Sequence, residues 1–376
     1  MTRTDSPAPG TRTTEMLPAL PGEIVAALAE AGGSFDLARA VPEPQDAPVL
    51  RWGILGAGHI AGTFARDVPA YSSGLVTAVG SRDAARARSL IEAHPGAGKG
   101  EAVRAHGSYE DLVSAPDVDA VYVATPHAFH ADHALLALEA GKPVLVEKAF
   151  ARSAVEARRV LGAARHRGLF AMEAMWMRFL PGQALVRALA VCGALGAIEH
   201  VRADHFQPLL HVERLTRPDL AGGALLDLGV YPLSLVHSVL GAPLRVAAVG
   251  RLSEAGVDLD EVVGLVYPGA TAAAASGMSA ASGTSAEIIG SRARIALAGR
   301  FYAPTTVRVV WNDDGGRRAA WDGRVPGGFQ FEAAEAARCL AAGATESATL
   351  PWAATLEVME IMDEVRRQIG VVYPGE

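Results

Sequence analysis

Positive charge is the minority in this chain. Lys and Arg number 34 against 41 Asp and Glu, a formal net charge of -7. Such a balance gives no electrostatic support to a nucleic-acid partner. Cysteine is nearly missing. Cys192 and Cys339 form no metal or redox pattern, which fits a reducing cytoplasm. Long apolar runs are missing as well. The first twenty residues lack the apolar core of a secretory leader, and the longest candidate span, Ala184 to Ile198, is broken by Arg187 and two glycines. No membrane partner is expected. What is present is globular: 376 residues, half of them apolar and a fifth charged, enough for two or three domains.

Residues 1–14 are rich in Pro, Thr, Ser and Gly and are expected to be disordered. Glu23–Ala31 has helical spacing, and Pro42–Pro48 reads as a linker. From Arg51 strands and helices alternate. The spacing predicts strands at 51–55, 75–80, 120–124, 143–146 and 169–172. Helices are predicted at 59–69, 84–94, 109–114, 127–140 and 153–167. Continuously apolar strands such as VYVAT and PVLVE suit a parallel sheet covered on both faces. After Phe179 the rhythm changes. A helix at 184–191, a strand at 198–206 and a helix at 223–240 precede strands near 244–252, 261–267, 271–278, 285–289, 294–297 and 306–311. Two helices close the chain, near 330–342 and 353–369. The fold class is α/β: a doubly wound parallel sheet followed by an α+β domain with an open, mainly antiparallel sheet. The expected divisions are an extension at 1–48, a nucleotide-binding domain at 49–172 and a substrate or oligomerisation domain at 173–376.

Leu50–Ala61 (LRWGILGAGHIA) reads as strand, glycine turn and helix start, with Gly56, Gly58 and Ala61 in a G-x-G-x-x-A pattern. Gly56 permits the turn. Gly58 lets a pyrophosphate approach the backbone. The first helical N–H groups, at His59 and Ile60, have no partners within the helix and face the phosphates. NAD sites place an acid at the end of the second strand; here Ser81 and Arg82 stand there, which favours NADP over NAD. Asp83 sits where a helix cap belongs. Thr125, Pro126, His127 and His130 follow the third predicted strand, at the edge where such sheets bind ligands, and face ribose or nicotinamide. Capping of a helix is the alternative for the two histidines. A metal site among His127, His130 and His133 lacks a completing carboxylate, and no metal is expected. His200, His205 and His211 read as surface or substrate-rim residues.

Glu147-Lys148 ends the next strand. A lysine there can stabilise a developing alkoxide, with Glu147 holding it by an ion pair. Asp227 and Tyr231 are four apart and share a helix face. A lysine ammonium beside the phenol would lower its pKa, so Lys148 and Tyr231 make an acid/base pair if they meet in the cleft. Asp227 either bonds a substrate hydroxyl or orients Lys148.

The order G-A-G-H-I-A, S-R-D, A-T-P-H-x-F-H, V-E-K and G-G-A-L-L-D-L-G-V-Y, from Gly56 to Tyr231, resembles the Gfo/Idh/MocA oxidoreductases. The nearest branch is that of dimeric dihydrodiol dehydrogenase, NADP-dependent D-xylose dehydrogenase and glucose–fructose oxidoreductase. The segment E-A-M-W-M-R-F at Glu173–Phe179 adds to the likeness, which spans about 50–376. It implies a Rossmann domain, hydride transfer at a ring carbinol and a homo-dimer or homo-tetramer, often paired through the open sheet. It also implies catalytic roles for Lys148, Asp227 and Tyr231, and places Trp176 and Arg178 beside the nicotinamide. Family members carry proline after the lysine. Here Ala149 stands instead, so the local backbone changes or is supported from elsewhere.

Together these features predict an NADP-dependent oxidoreductase acting on a sugar, cyclic polyol or dihydrodiol-like carbinol. A nucleotide-sugar ketoreductase, with Arg214 and Arg217 meeting a phosphate, and a non-catalytic cofactor-binding sensor are the alternatives.

Overall fold

The computed structural model describes residues 10, 12–313 and 315–376. The expected disorder of 1–9 and 11 lies outside these, but Arg12–Thr14 are fixed: Thr13 is buried and the Thr14 N–H donates to Glu43 at 2.8 Å. Two short helices follow, α1 (Gly22–Glu30) and α2 (Leu37–Ala40).

The first sheet holds β1 (Arg51–Leu55), β2 (Leu75–Gly80), β3 (Arg104–His106), β4 (Ala120–Val123), β5 (Val144–Glu147) and β6 (Ala171–Ala174). Its spatial order is β3-β2-β1-β4-β5-β6, and every neighbouring pair is parallel. Helices α3 (His59–Tyr71), α4 (Ala84–Ala93), α5 (Tyr109–Val113), α6 (His130–Glu139) and α7 (Ala154–Arg167) return the chain between strands. β4, β5 and β6 are buried at every residue, as their apolar runs require. Asp83 caps α4 through the Ala85 N–H at 2.8 Å, as its position predicts. α7 starts on the Ser153 hydroxyl and stops at Gly168, whose φ of 63° suits a residue without Cβ.

The second unit opens with α8 (Pro181–Val191). Its sheet holds β7 (Ile198–Phe206), β8 (Arg245–Leu252), β9 (Asp258–Tyr267), β10 (Ala270–Gly277), β11 (Ala286–Gly290), β12 (Ala293–Leu297), β13 (Thr306–Trp311) and β14 (Arg318–Asp322). The order is β14-β13-β12-β11-β7-β10-β9-β8; only β7–β10 is parallel. The helix expected at 223–240 is not continuous. A π-helical turn, Leu225–Gly229, runs into α9 (Val230–Leu240). The stretch Pro218–Leu240 is apolar and long enough to cross a membrane, a feature the sequence reading passed over, but 83 % of its most apolar window is buried inside the protein.

The expected division at 172/173 falls inside β6. It is also crossed by the closing helices: α10 (Phe329–Ala341) packs on α3, and α11 (Trp352–Ile369) packs on β8, α7 and α9. The amino-terminal segment spans both units too. The Ser73 hydroxyl donates to the Ala47 carbonyl at 2.6 Å, the Trp321 indole to Pro18 at 2.8 Å and Arg338 to Glu43 at 2.7 Å.

Candidate active site

The site begins at the β1–α3 turn. Gly56 has φ of 115°, and a Cβ there would stand 2.6 Å from the Ala124 carbonyl oxygen. Only glycine fits that close approach. At Gly58 a Cβ would meet nothing within 4 Å; it would project into open space at the start of α3. Gly58 caps α3 without a side-chain bond, so the His59 and Ile60 amides begin a helix N-terminus beside that space. Bare backbone, small residues and free N–H donors fit a dinucleotide pyrophosphate. A cavity of about 220 Å³ adjoins the turn, lined by Gly58, Thr125, His127, Lys148, Arg214 and Asp227 among others.

Ser81 and Arg82 stand at the end of β2 as expected. Ser81 is buried, with its hydroxyl taken up by the Asp83 N–H at 3.4 Å. Arg82 lines a second cavity with Tyr109 and Phe129, and Arg86, on α4, lines a third with Gly58 and His59. The sequence reading missed Arg86, although its place four residues after Arg82 puts it one helical turn further on.

The two strand-end histidines are uncharged. His127 is buried, with its Nδ1 3.2 Å from the Ala221 carbonyl; burial pushes its pKa down to about 3. His130 lies between the Thr125 and Ala149 carbonyls, at 2.7 and 2.8 Å, and burial lowers its pKa to about 4. A neutral ring can donate to only one of the two carbonyls. The Lys148–Ala149 peptide is cis, and Ala149 is fully buried.

Glu147 does not pair with the Lys148 ammonium as expected. Its carboxylate accepts the Tyr122 hydroxyl and, at 3.1 Å, the Lys148 backbone N–H. Successive residues leaving a strand point to opposite faces, so the two side chains diverge. Burial raises the Glu147 pKa to about 7.

Lys148 Nζ reaches across to the π turn. It donates to the Asp227 carbonyl at 2.9 Å and to Asp227 Oδ1 at 3.3 Å. Arg214 donates to the same Oδ1 at 2.9 Å. Burial opposes ionisation of Asp227, but Lys148 and Arg214 outweigh it and hold the pKa below the ordinary value. Lys148 Nζ also stands 5.1 Å from the centre of the Tyr231 ring. The lysine and the phenol, one from each unit, therefore meet.

The ammonium faces the ring, not the phenol oxygen. The Tyr231 oxygen instead accepts the Trp176 indole N–H at 3.0 Å. The expected lowering of the phenol pKa is corrected: burial, then Glu147, pushes it well above 10. Arg178 is corrected too. It is buried and donates to the Ser234 carbonyl at 2.8 Å, in the interior and not on the cavity wall. Arg217 pairs with Asp219 and Glu213, so neither of the loop arginines is left without a carboxylate.

His205 is not a rim residue. It is buried, stacks on Tyr302 at 4.4 Å and lies 5.3 Å from the Tyr231 ring. Tyr302, 4.8 Å ring to ring from Tyr231, and Gln207, which donates to its hydroxyl, were missed; Arg214, expected at a phosphate, lines the cavity and binds Asp227 instead. All three sit on connecting segments far from their partners in sequence, where no periodicity points to them. His200 and His211 stay towards the surface.

Residues 50–175 match the Gfo/Idh/MocA oxidoreductase family, NAD-binding Rossmann fold, and residues 184–296 match the family's C-terminal domain. The D-xylose 1-dehydrogenase (NADP+) of Hypocrea jecorina is 36% identical over 370 residues, covering 86% of this chain and 93% of that protein. The trans-1,2-dihydrobenzene-1,2-diol dehydrogenase of Bos taurus is 36% identical over 342 residues, covering 87% and 99%. Among solved structures, the 3-ketoreductase KijD10 of Actinomadura kijaniata, in complex with NADP and TDP-benzene, superposes with a TM-score of 0.75 at 29% identity, covering 86% of this chain and 98% of that one. A cofactor cradle at one sheet's edge, closed by a lysine and a tyrosine from two units, thus belongs to a chain that is a member of the Gfo/Idh/MocA oxidoreductase family.

Proposed function

We propose that this protein is an NADP-dependent dehydrogenase or reductase acting on a ring carbinol of the sugar, cyclic polyol or dihydrodiol type. The observation that carries this reading is the approach of Lys148 to Tyr231, 5.1 Å from ammonium to ring centre, beside the cavity that opens on the glycine turn. Gly56, Gly58 and the first amides of α3 would hold the pyrophosphate, and Arg82 and Arg86, with no acid at the end of β2, suit a 2′-phosphate. The bound nicotinamide supplies or accepts the hydride.

The rest is work for the chain's own groups. Tyr231 accepts from Trp176, so its own O–H is left to point elsewhere, at a substrate oxygen. A high pKa suits a proton donor to the developing alkoxide. Lys148, held by Asp227, stabilises that alkoxide by its charge. Asp227 acts as the anchor of Lys148 and Arg214, which favours orientation over direct contact with a substrate hydroxyl. Lys148, Asp227 and Tyr231 standing together argue against a sensor without turnover. The nucleotide-sugar reading has the likeness to KijD10 in its favour; against it, Arg214 and Arg217 are already engaged by carboxylates.

Pairing of two or four copies through the second sheet is supported by Val249 and Val262, 71% and 53% exposed on adjacent strands. Two cysteines that form no disulfide suit the cytoplasm.

Lys148→Ala and Tyr231→Phe test the mechanism. Each is expected to lower kcat about 10²–10³-fold, while NADPH still binds as read by fluorescence titration. Unchanged turnover in both variants would remove it.

A further inference from the structure

Next to Tyr231 stand three polar side chains with no role in the proton chemistry. His205 ends β7, and Gln207 follows it by two residues. Tyr302 sits between β12 and β13 and lies 4.8 Å, ring to ring, from Tyr231. Their backbone is fixed. The Gln207 N–H donates to the Gly277 carbonyl at 3.0 Å, and Phe301 is held by Gln183 and by the Thr284 carbonyl.

The hydrogen bonds among the three fix their polarity. His205 Nδ1 faces the Leu228 carbonyl at 3.2 Å, so that nitrogen carries the proton. Nε2 is then an acceptor, and the Gln207 amide nitrogen stands 2.7 Å from it. This requires the amide nitrogen, not the oxygen, to point at the ring. Burial keeps the imidazole neutral, with its pKa lowered to about 4. The same Gln207 nitrogen donates to the Tyr302 hydroxyl oxygen at 3.1 Å. Both amide hydrogens are thereby used.

Two groups are left over. Gln207 Oε1 meets no donor among the described residues, and it is not buried. Tyr302 accepts from Gln207 and keeps its own O–H to donate. An uncharged acceptor and an uncharged donor therefore stand side by side next to Tyr231. Each hydroxyl of a polyol is both donor and acceptor, so two adjacent hydroxyls match this pair. A carboxylate or phosphate finds only one donor there.

We propose that Gln207 and Tyr302, oriented by His205, recognise a pair of substrate hydroxyls other than the one that reacts. The substrate is then an uncharged polyhydroxylated ring, not a ring whose remaining carbons are apolar. This rests on the oxidoreductase reading above. Gln207 and Tyr302 are specificity residues, and His205 is a positioning residue.

The test compares two probes in the oxidative direction with NADP+. One is the best-used member of a panel of aldopyranoses beginning with D-xylose. The other is trans-cyclohexane-1,2-diol, which lacks further hydroxyls. The wild type is expected to prefer the aldopyranose by more than about tenfold in kcat/KM. Gln207→Leu and Tyr302→Phe should lose about tenfold more on the aldopyranose than on the diol, chiefly through KM. His205→Phe keeps the stacked ring and removes the acceptor for Gln207; it should show the same selective loss, at smaller size. His205→Gln, which restores an acceptor, should recover part of it. NADPH titration of each variant reports whether it is folded. A wild-type preference for the diol, or equal losses on both probes in folded variants, overturns the proposal and leaves the dehydrogenase reading standing. No turnover of any probe by a wild type that binds NADPH defeats the dehydrogenase reading, and this inference with it.

Discussion

Two buried carboxyls stand beside Lys148, Glu147 as its neighbour in sequence and Asp227 as its partner in space, and they end in opposite states. Glu147, on the nucleotide-binding side, receives a phenol hydroxyl and a backbone amide and is pushed up to about 7. Asp227, on the other side, receives an ammonium and a guanidinium and is held below its ordinary value. Burial opposes charge in both places. The Lys148 charge lowers both, but only Asp227 is hydrogen-bonded to cations, and that direct contact decides the outcome. The cleft thus has one wall whose carboxyl bonds no cation and one wall whose carboxylate anchors an ionic cluster.

Removing the cluster's centre should have the largest effect. Asp227→Asn leaves Lys148 without its counter-charge in a buried place. A loss of about 3–5 kcal/mol in stability by chemical denaturation is expected, with kcat reduced about a hundredfold. A variant as stable and active as the wild type would mean that the two walls do not differ as described.

Glu147→Gln should act through pH. The Glu147 carboxyl ionises near 4.5 in the unfolded chain and at about 7 in the folded one. Between these values the folded state holds the extra proton, so stability falls as pH rises through the window. The variant removes that slope. Its stability relative to the wild type should therefore rise from pH 5 to pH 8, by on the order of 3 kcal/mol. A flat difference across that range would show that Glu147 is ionised throughout.

Arg214→Gln should have the smallest effect. The Arg214 side chain is 43% exposed, so solvent screens its share of the cluster. A change in kcat/KM below about fivefold is expected. A larger loss than with Asp227→Asn would reverse the order of the two cations around the carboxylate.

The two walls were also unequally legible in the sequence. The order of apolar strands dictates the sheet, and a parallel sheet dictates that Thr125, His127 and Lys148 share its ligand-binding edge. The exceptions in that half are local. β3 is three residues of polar and small character, and the Glu147 side chain turns away from its neighbour because strands alternate. The other wall depends on contacts that no local pattern encodes. Periodicity predicts one helix from 223 to 240, and the π turn that carries Asp227 leaves no mark in it. Such widened turns recur at functional sites. Arg214 meets Asp227 thirteen residues away, and Tyr302, from the β12–β13 connection, meets Tyr231 of α9. Strand β14 (RAAWD) is short, mostly solvent-facing and at the sheet's edge, so no apolar alternation marks it.

The leading segment at 12–48 works like a belt strung across both units. It grips the first unit through Ser73 and the second through Trp321 and Arg338. Parting the two units would have to release one of these buckles, so the extension adds a second tie to the one made by the closing helices.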